Sequence, residues 1–412
     1  VSTFEHPFIR FDLSDFSKSI FMTAVIHAIS TAVPQYSLTQ AEALEIARSR
    51  NQPDATQEFW MNMIYSKSGV EGRSSVLLEK PETHPCDSEL PNASSATPSQ
   101  IAFRQSFYKD ATESYRSGPT TYERMLQYRQ HAPTLAIEAS SKAIKNAGLK
   151  NDEITHLVTV SCTGFSAPGF DIDLIDQLHL SPQIARTHIG FMGCHGALNA
   201  MRVARSISNA EPQSRILVCA TELCSLHYQY GFQPDQIIAN ALFADGAAAM
   251  IIAPPLNRTS HLSLGVPSRY RPIELMANGS YLFPNTRDAM SWHIGDHGFL
   301  MTLSPQVPEL IRSQLSQWMK SWLAKNFLSI EHITHWAIHP GGPKIMDAVI
   351  DSLGIDPLTA EDSREVLRLH GNMSSPTSLF VLERLREKGL SGHCVMLGFG
   401  PGLVVEAALM KL

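Results

Sequence analysis

A layered α/β body made of two related halves is the fold class that the sequence predicts, on three observations. From residue 155 onward, apolar strand-like runs alternate with helical segments, which is the pattern of a layered α/β fold. Three pairs of segments recur in the same order at one offset of about 178 residues, the signature of an internal duplication. The 412 residues are 43% hydrophobic but only 17% charged, where an average chain has about 25% charged residues. Much of this chain is therefore interior or interface. At roughly 100–200 residues per domain, the length allows two or three units or one large fused body.

The elements follow in order. Residues 1–20 mix Phe, Asp, Ser and Arg without a period and read as an arm. Residues 21–29 read as a buried strand closed by a turn at 31–34, and 41–50 as a helix with Thr39 as its N-cap. The Pro- and Ser-rich stretch 80–102 reads as a long loop. Residues 122–148 are helical in pattern, with Ala136, Ala139, Ala143 and Ala147 on one face and a break or kink expected at Pro133. Strands are then expected at 155–161, 187–191, 215–220 and 247–253, with helices at 170–178 and 197–204.

The duplication pairs 155–164 with 334–342, Gly193-Cys-His-Gly196 with Gly371-Asn-Met-Ser374, and 215–222 with 392–399. The expected organisation is an arm at 1–20, an N-terminal half over 21–255 and a C-terminal half over 256–412. Two copies of one βαβα unit would place equivalent strand-to-helix turns near a pseudo-twofold axis. Cys194, His339 and Asn372, far apart in sequence, would then meet.

Composition excludes several classes. A net charge of −6 and a pI near 6.3 argue against a nucleic-acid partner, which would need a basic patch. The longest apolar runs, 247–255 and 403–410, are under half the ~20 residues of a membrane span. The N-terminal stretch lacks the design of a secretory signal. Six cysteines without a C-x-x-C pair suggest a reducing, cytoplasmic setting.

Cys194 stands in Gly190-Phe-Met-Gly-Cys-His-Gly-Ala-Leu-Asn199, where a strand enters, glycines allow a tight turn and a helix of small residues leaves. A thiol at a helix N-terminus feels the positive end of the macrodipole, which is expected to lower its pKa. The plain alternative is a buried packing cysteine. His339 ends an apolar strand before Pro-Gly-Gly-Pro343. It is either a satisfied turn histidine or the group that takes the thiol proton. Asn372, in His370-Gly-Asn-Met-Ser-Ser-Pro376, is either a helix N-cap or a neutral donor to an oxyanion or enolate.

His195, next to Cys194, points about 100° away from it and is a poor direct base. His332, His335 and His339 do not share one strand face, and no metal is expected. Gly398-Phe-Gly-Pro-Gly402 is too close to the C-terminus for a dinucleotide fingerprint and reads as a tight loop shaping a cavity wall.

Together, Gly-Phe-Met-Gly-Cys194, His339-Pro-Gly-Gly-Pro, Gly371-Asn-Met-Ser-Ser-Pro and Gly-Phe-Gly-Pro-Gly402 resemble the type III polyketide synthases. This is the chalcone-synthase-like family on the thiolase fold. The resemblance covers residues 22–412 and leans toward the bacterial and fungal alkylpyrone/alkylresorcinol branch. It implies a thiolase-like five-layered α-β-α-β-α homodimer, a triad of Cys194, His339 and Asn372, and no cofactor. The implied substrates are acyl-CoA and malonyl-CoA.

Phe243 matches the family's gatekeeper phenylalanine, and Met301 stands where plant members have a second one. Cys162 replaces a cavity threonine, and Ala167 replaces a methionine that reaches the partner subunit. Of the plant CoA-phosphate cations only Lys67 is matched, with Trp60 and Met63 at the other positions. Gly341, Gly398, Phe399 and Gly400 complete the expected substrate-binding set. The softer Met301 and Cys162 suggest a medium- or long-chain fatty acyl starter, extended and cyclised to an alkylpyrone or alkylresorcinol. Two other readings remain open at this point. One is a ketoacyl synthase III-like single condensation using an acyl carrier protein. The other is a non-catalytic binding homologue on the same fold.

Overall fold

The computed structural model describes residues 24–79, 105–112, 117–255 and 271–412. The expected arm, the expected loop at 80–102 and the junction of the two halves lie outside the described residues.

Strands among the described residues are β1 Ala24–Ala32, β2 Ser37–Thr39, β3 Gly72–Ser74, β4 His156–Ser161, β5 Ala185–Gly190, β6 Ile216–Leu223 and β7 Asp245–Ala253. They continue with β8 Ile273–Leu282, β9 Met290–Gly295, β10 Gly298–Leu303, β11 Ile333–Ile338, β12 His393–Gly400 and β13 Val404–Lys411. The α-helices are α1 Gln40–Asn51, α2 Ala55–Ser66, α3 Thr121–Ala147, α4 Phe170–Gln177 and α5 Gly196–Ala210. After these come α6 Pro234–Leu242, α7 Val307–Lys325, α8 Pro343–Leu353, α9 Glu361–His370 and α10 Thr377–Glu387.

Nine strands join in the order β11-β12-β13-β8-β1-β7-β6-β4-β5. Apart from the edge strand β5, the order is symmetric about the β8–β1 pair. β4 and β6 run parallel while β7 is antiparallel to both β6 and β1. Equivalently, β11 and β12 run parallel while β13 is antiparallel to β12 and β8. A mirrored order with matching strand directions is what a duplicated unit produces.

Side-chain alternation sorts these strands into layers, because successive residues of a strand face opposite sides. On β7, Ala248, Met250 and Ile252 face a central core, whereas Ala247, Ala249 and Ile251 face an outer one with α3. On β12, Cys394 and Met396 face the same central core, whereas Val395 and Leu397 face α7 and α8. The central core holds Ala197, Leu198, Ala200, Met201 and Ala204 of α5 and Leu379, Val381, Leu382 and Leu385 of α10. The stack is therefore helix, sheet, helix, sheet, helix, with α5 and α10 in the middle layer. Alanine and serine at the tight positions let these helices approach sheets on both sides.

The ends of α1 and α3 follow their sequence signals. Thr39 caps α1 and Thr120 caps α3, each in a reciprocal box with a glutamate three residues on. Gly148, at φ 69°, ends α3. The expected break at Pro133 does not occur: α3 runs through it as one helix. A proline inside a helix costs ~3 kcal/mol, and burial of Ala132, Leu135, Ala136, Ala139 and Ala143 against the sheet offsets it. A second departure concerns Asn372. Cys194 follows β5 and His339 follows β11, but the chain reaches Asn372 from helix α9, through Gly371 and a single parallel bridge between Asn372 and Phe243. No helix among the described residues is long and apolar enough to cross a membrane.

The layering predicts where stability resides. Leu198→Ala, in the middle layer and 1% exposed, is expected to destabilise by roughly 2–5 kcal/mol. Leu358→Ala, 75% exposed, should stay within about 0.5 kcal/mol of wild type. Urea unfolding of both variants checks the pair.

Candidate active site

The turn that carries Cys194 is tight because two residues before it adopt left-handed backbone, Phe191 at φ 57° and Gly193 at φ 67°. A Cβ on Gly193 would lie 2.5 Å from Pro401 Cδ, so only glycine fits there. Cys194 itself lies in a short 3-10 turn that feeds the N-terminus of α5. His195, the next residue, turns away from the thiol. Its Nδ1 meets Asn199 Oδ1 at 2.8 Å, and its ring packs against β12.

A Cβ on Gly400 would come within 2.4 Å of that ring, and a Cβ on Gly398 within 3.2 Å of His195 Cβ. These two glycines make room for His195 and do not border the cavity. The residues between and after them, Phe399 and Pro401, do.

A cavity of about 460 Å³ opens beside the turn. Cys194, His339 and Asn372 all lie on its wall, as do Phe243, Met301, Cys162 and Gly341. Lys67 does not: it is exposed at the end of α2. The basic side chains on the wall are Arg50 and Arg73. Arg73 is already committed, donating to the carbonyls of Asn240 and Phe243 and to Gln40 Oε1 at 2.5–3.0 Å. It thereby holds the backbone of Phe243 in place at the end of α6.

Asn372 does not cap a helix, because α10 begins five residues later. Its Oδ1 instead accepts from the Ser374 N–H at 2.8 Å, which settles the amide's orientation. Nδ2 is then the atom left to face the thiol as a donor. Backbone bonds to Leu242 and Ala244 hold the residue on both sides, at 2.8 and 3.0 Å. Gly371, at φ 68°, is required there, since a Cβ would sit 2.9 Å from Leu242 O.

Four further wall residues, given no role by the resemblance, make defined polar or ring contacts. The Ser374 hydroxyl lies between two thiols, 3.6 Å from Cys194 Sγ and 3.3 Å from Cys162 Sγ. Trp292 donates Nε1–H to Cys162 O at 2.8 Å. His227 stacks on Phe299 with ring centroids 4.2 Å apart, and both its nitrogens are bonded, Nε2 to Thr163 O and Nδ1 to Phe299 N–H. Behind the wall, the buried Glu222 accepts from Cys162 N, Thr163 N, Thr163 Oγ1 and Ser375 Oγ at 2.6–3.0 Å. A lone carboxylate in the apolar run of β6 was the available sequence signal for Glu222. Ser374 lies within the motif that carries Asn372, whereas Trp292 and Phe299 lie on the β9–β10 hairpin, which has no counterpart among the described residues of the other half.

Burial dominates the electrostatics. It pushes the Cys194 thiol up to about 11; the Ser374 and Asn372 donors pull it back, while the Glu222 carboxylate adds to the rise. This corrects the expectation of a depressed thiol, since desolvation outweighs the macrodipole when the thiol ionises alone. Burial likewise pushes His339 down to about 3, with His195 adding to the fall. Each group is thus neutral at pH 7 if it ionises by itself. Proton transfer from sulfur to imidazole is a different event, because it leaves the net charge of the site unchanged. The Ser374 and Asn372 donors and the N-terminus of α5 then favour the sulfur anion.

The two halves of the chain match two family descriptions, "Chalcone and stilbene synthases, N-terminal domain" over residues 111–255 and "Chalcone and stilbene synthases, C-terminal domain" over 274–412. The chain belongs to the chalcone and stilbene synthase family. These are the type III polyketide synthases, and the thiolase-like α/β fold expected for them is the fold described above.

A relative from Mycobacterium tuberculosis, "Alpha-pyrone synthesis polyketide synthase-like Pks18", is 34% identical over 305 residues, 72% of this chain and 75% of that protein. "Probable polyketide synthase 1" from Dictyostelium discoideum is 35% identical over 294 residues, 69% of this chain. The matched region spans only 9% of that longer protein. The crystal structure of PKS-I from the brown alga Ectocarpus siliculosus superposes with a TM-score of 0.82 at 27% identity, covering 96% of this chain and 99% of that one.

The electrostatics of this synthase predict a dependence on His339. A thiol with a pKa near 11 is neutral at pH 7, and its reactive anion grows ~tenfold per pH unit below the pKa. In His339→Gln, alkylation of Cys194 by iodoacetamide at pH 7 should fall ~10²-fold or more and climb steeply from pH 7 to 10. Wild type should show a flatter profile. Rates measured against a Cys194→Ala background check this, and an unchanged profile in His339→Gln would contradict it.

Proposed function

We propose that the chain is an acyltransferase that loads an acyl-CoA starter on Cys194, extends it with malonyl-CoA by decarboxylative condensation, and cyclises the product. The single observation that carries this reading is the meeting of a thiol, a neutral imidazole and an oriented amide donor on one cavity wall. In loading, the Cys194 proton passes to His339 Nε2 as sulfur attacks the thioester carbonyl. The carbon–sulfur bond to CoA breaks, and the CoA thiol leaves with that proton.

Malonyl-CoA enters next. Its bond to the carboxylate breaks, CO₂ departs, and the electron pair moves onto the thioester oxygen as an enolate. Nε2–H of His339 and Nδ2–H of Asn372 stabilise that oxygen. The enolate carbon attacks the acyl group on Cys194, a carbon–carbon bond forms, and the thiolate leaves. No strong base is needed, because loss of CO₂ generates the nucleophile. A carboxylate at position 372 would repel the enolate, which is a reason for an amide there.

The starter in this proposal is a medium- or long-chain fatty acyl group and the product an alkylpyrone or alkylresorcinol. Leu77, Leu78, Met290, Leu300, Met301 and Leu303 on the wall support an apolar chain. So does the alpha-pyrone synthesis named for the mycobacterial relative. No cofactor enters the scheme. A homodimer belongs to the same proposal, supported by β5, an exposed strand at the edge of the sheet with one bonded neighbour. A reducing, cytoplasmic setting is supported by five described cysteines that all stand as free thiols.

Two experiments test the reading. Cys194→Ala should abolish acyl loading in intact-protein mass spectra, whereas Asn372→Ala should load normally and lose malonyl-CoA decarboxylation. Normal decarboxylation in Asn372→Ala would refute the amide's role. A panel of acyl-CoAs with malonyl-CoA should give strong turnover with fatty acyl starters. Turnover confined to aromatic starters such as coumaroyl-CoA would refute the fatty acyl assignment.

A further inference from the structure

In the proposed reaction His339 has two duties that one nitrogen cannot perform in one state. Nε2 is bare when it takes the Cys194 proton, and it carries a proton when it donates to the enolate oxygen. A neutral imidazole holds a single N–H, so the two duties belong to two tautomers. What the other nitrogen meets decides which of them is stable.

Nε2 has no hydrogen-bond partner among the described residues. Nδ1 faces the Ser378 hydroxyl at 3.4 Å, and both residues are buried. Ser378 lies in the first turn of α10, in the helix whose approach also carries Asn372 and Ser374. A serine inside a helix usually turns its hydroxyl back to the carbonyl four residues earlier. That carbonyl, of Ser374, already accepts from Thr377 Oγ1 at 2.8 Å and from Thr377 N at 3.1 Å. The Ser378 hydroxyl is thereby left to the imidazole.

We propose that Ser378 is a positioning residue that supports both tautomers of His339, accepting from Nδ1–H while Nε2 serves as base and donating to Nδ1 while Nε2–H serves as donor. A hydroxyl both gives and takes a hydrogen bond, whereas a carboxylate or carbonyl in its place only accepts and would hold Nε2 bare. The exchange of tautomers is balanced: one proton leaves Nδ1 through the Ser378 hydroxyl it faces and one arrives at Nε2, with water admitted to the cavity between the half-reactions as the carrier.

The inference rests on the two-step reading of the site, so its test carries a readout that does not depend on turnover. In ¹⁵N-histidine-labelled protein, with the His339 signals assigned by their loss in His339→Gln, the wild type should show both ring nitrogens at averaged shifts. Ser378→Ala leaves both ring nitrogens without a partner, so both shifts should move from the averaged values toward the Nε2–H tautomer, the form a neutral histidine side chain prefers when nothing bonds either nitrogen. Acyl loading in Ser378→Ala should fall roughly fivefold to tenfold, the worth of one buried hydrogen bond, with malonyl-CoA decarboxylation within about twofold of wild type. Ser378→Thr should restore both the averaged shifts and the loading rate. Unchanged ¹⁵N shifts in Ser378→Ala would overturn the proposal, as would equal losses in both steps that Ser378→Thr leaves unrepaired. A wild type that neither loads nor decarboxylates would refute the two-step reading, and the ¹⁵N shifts would still decide on Ser378.

Discussion

Everything in this molecule follows from burying two helices between the two halves of the nine-stranded sheet. α5 and α10 have no solvent-facing side over most of their length, so their packing positions are small or apolar, and their N-terminal N–H groups end inside the protein. Unsatisfied N–H groups at a buried helix end are costly. The polar side chains of the interior gather near those ends, where Ser375, Asn372, Thr163 and the carboxylate of Glu222 bond one another and the adjoining turns and cap neither helix. The same constraint brings β12 so close to the Cys194 turn that only glycine is accommodated at 398 and 400. The reactive thiol is thus placed where two symmetric halves touch, in surroundings that are dry and rich in fixed donors.

A dry site changes which chemistry is cheap. Isolated charges on Cys194 or His339 are disfavoured by burial, so a step that creates net charge is slow unless a partner moves with it. Moving one proton within the pair avoids that cost. Generating a carbanion by loss of CO₂ avoids it as well, because the anion is already present in the substrate and is only relocated. A neutral amide and a neutral imidazole are the donors that suit such a site, since neither brings a charge that must itself be paired.

Much of this was legible in the sequence because the duplication repeats its strands, turns and glycines at one spacing. Short apolar runs marked β4, β6 and β7, the repeat of 215–222 at 392–399 marked β12, and glycine-flanked turns marked Cys194 and His339. What escaped was governed by tertiary contacts. Pro133 reads as a helix breaker until the alanine face of α3 is packed on a sheet. Gly398 and Gly400 read as cavity lining until the ring of His195 is seen to occupy their space. Asn372 reads as the mate of a strand-to-helix turn, yet the chain reaches it from α9 and a one-residue bridge to Phe243. Its motif is local, but the bond that holds it spans more than a hundred residues. Lys67 matches a family position, yet stands outside the cavity wall because it lies at the solvent end of α2.

The two halves have not diverged evenly, and the difference separates chemistry from selectivity. His339 sits at the end of β11, whose mate in the other half is β4, and Cys194 sits at the buried start of α5, whose mate is α10, where the layered core allows little movement. The far wall is built from pieces without a counterpart among the described residues: the β9–β10 hairpin with Trp292, Phe299, Leu300 and Met301, and the α1–α2 pair with its short β2–β3 ladder. Such additions can change without disturbing the buried helices, because they cover the cavity from outside the stack. A site arranged this way can keep one acyl-transfer chemistry while the wall that meets the acyl chain varies. Here that wall is leucine, methionine and aromatic rings, and in the proposed reaction it is the part of the molecule that would meet the starter.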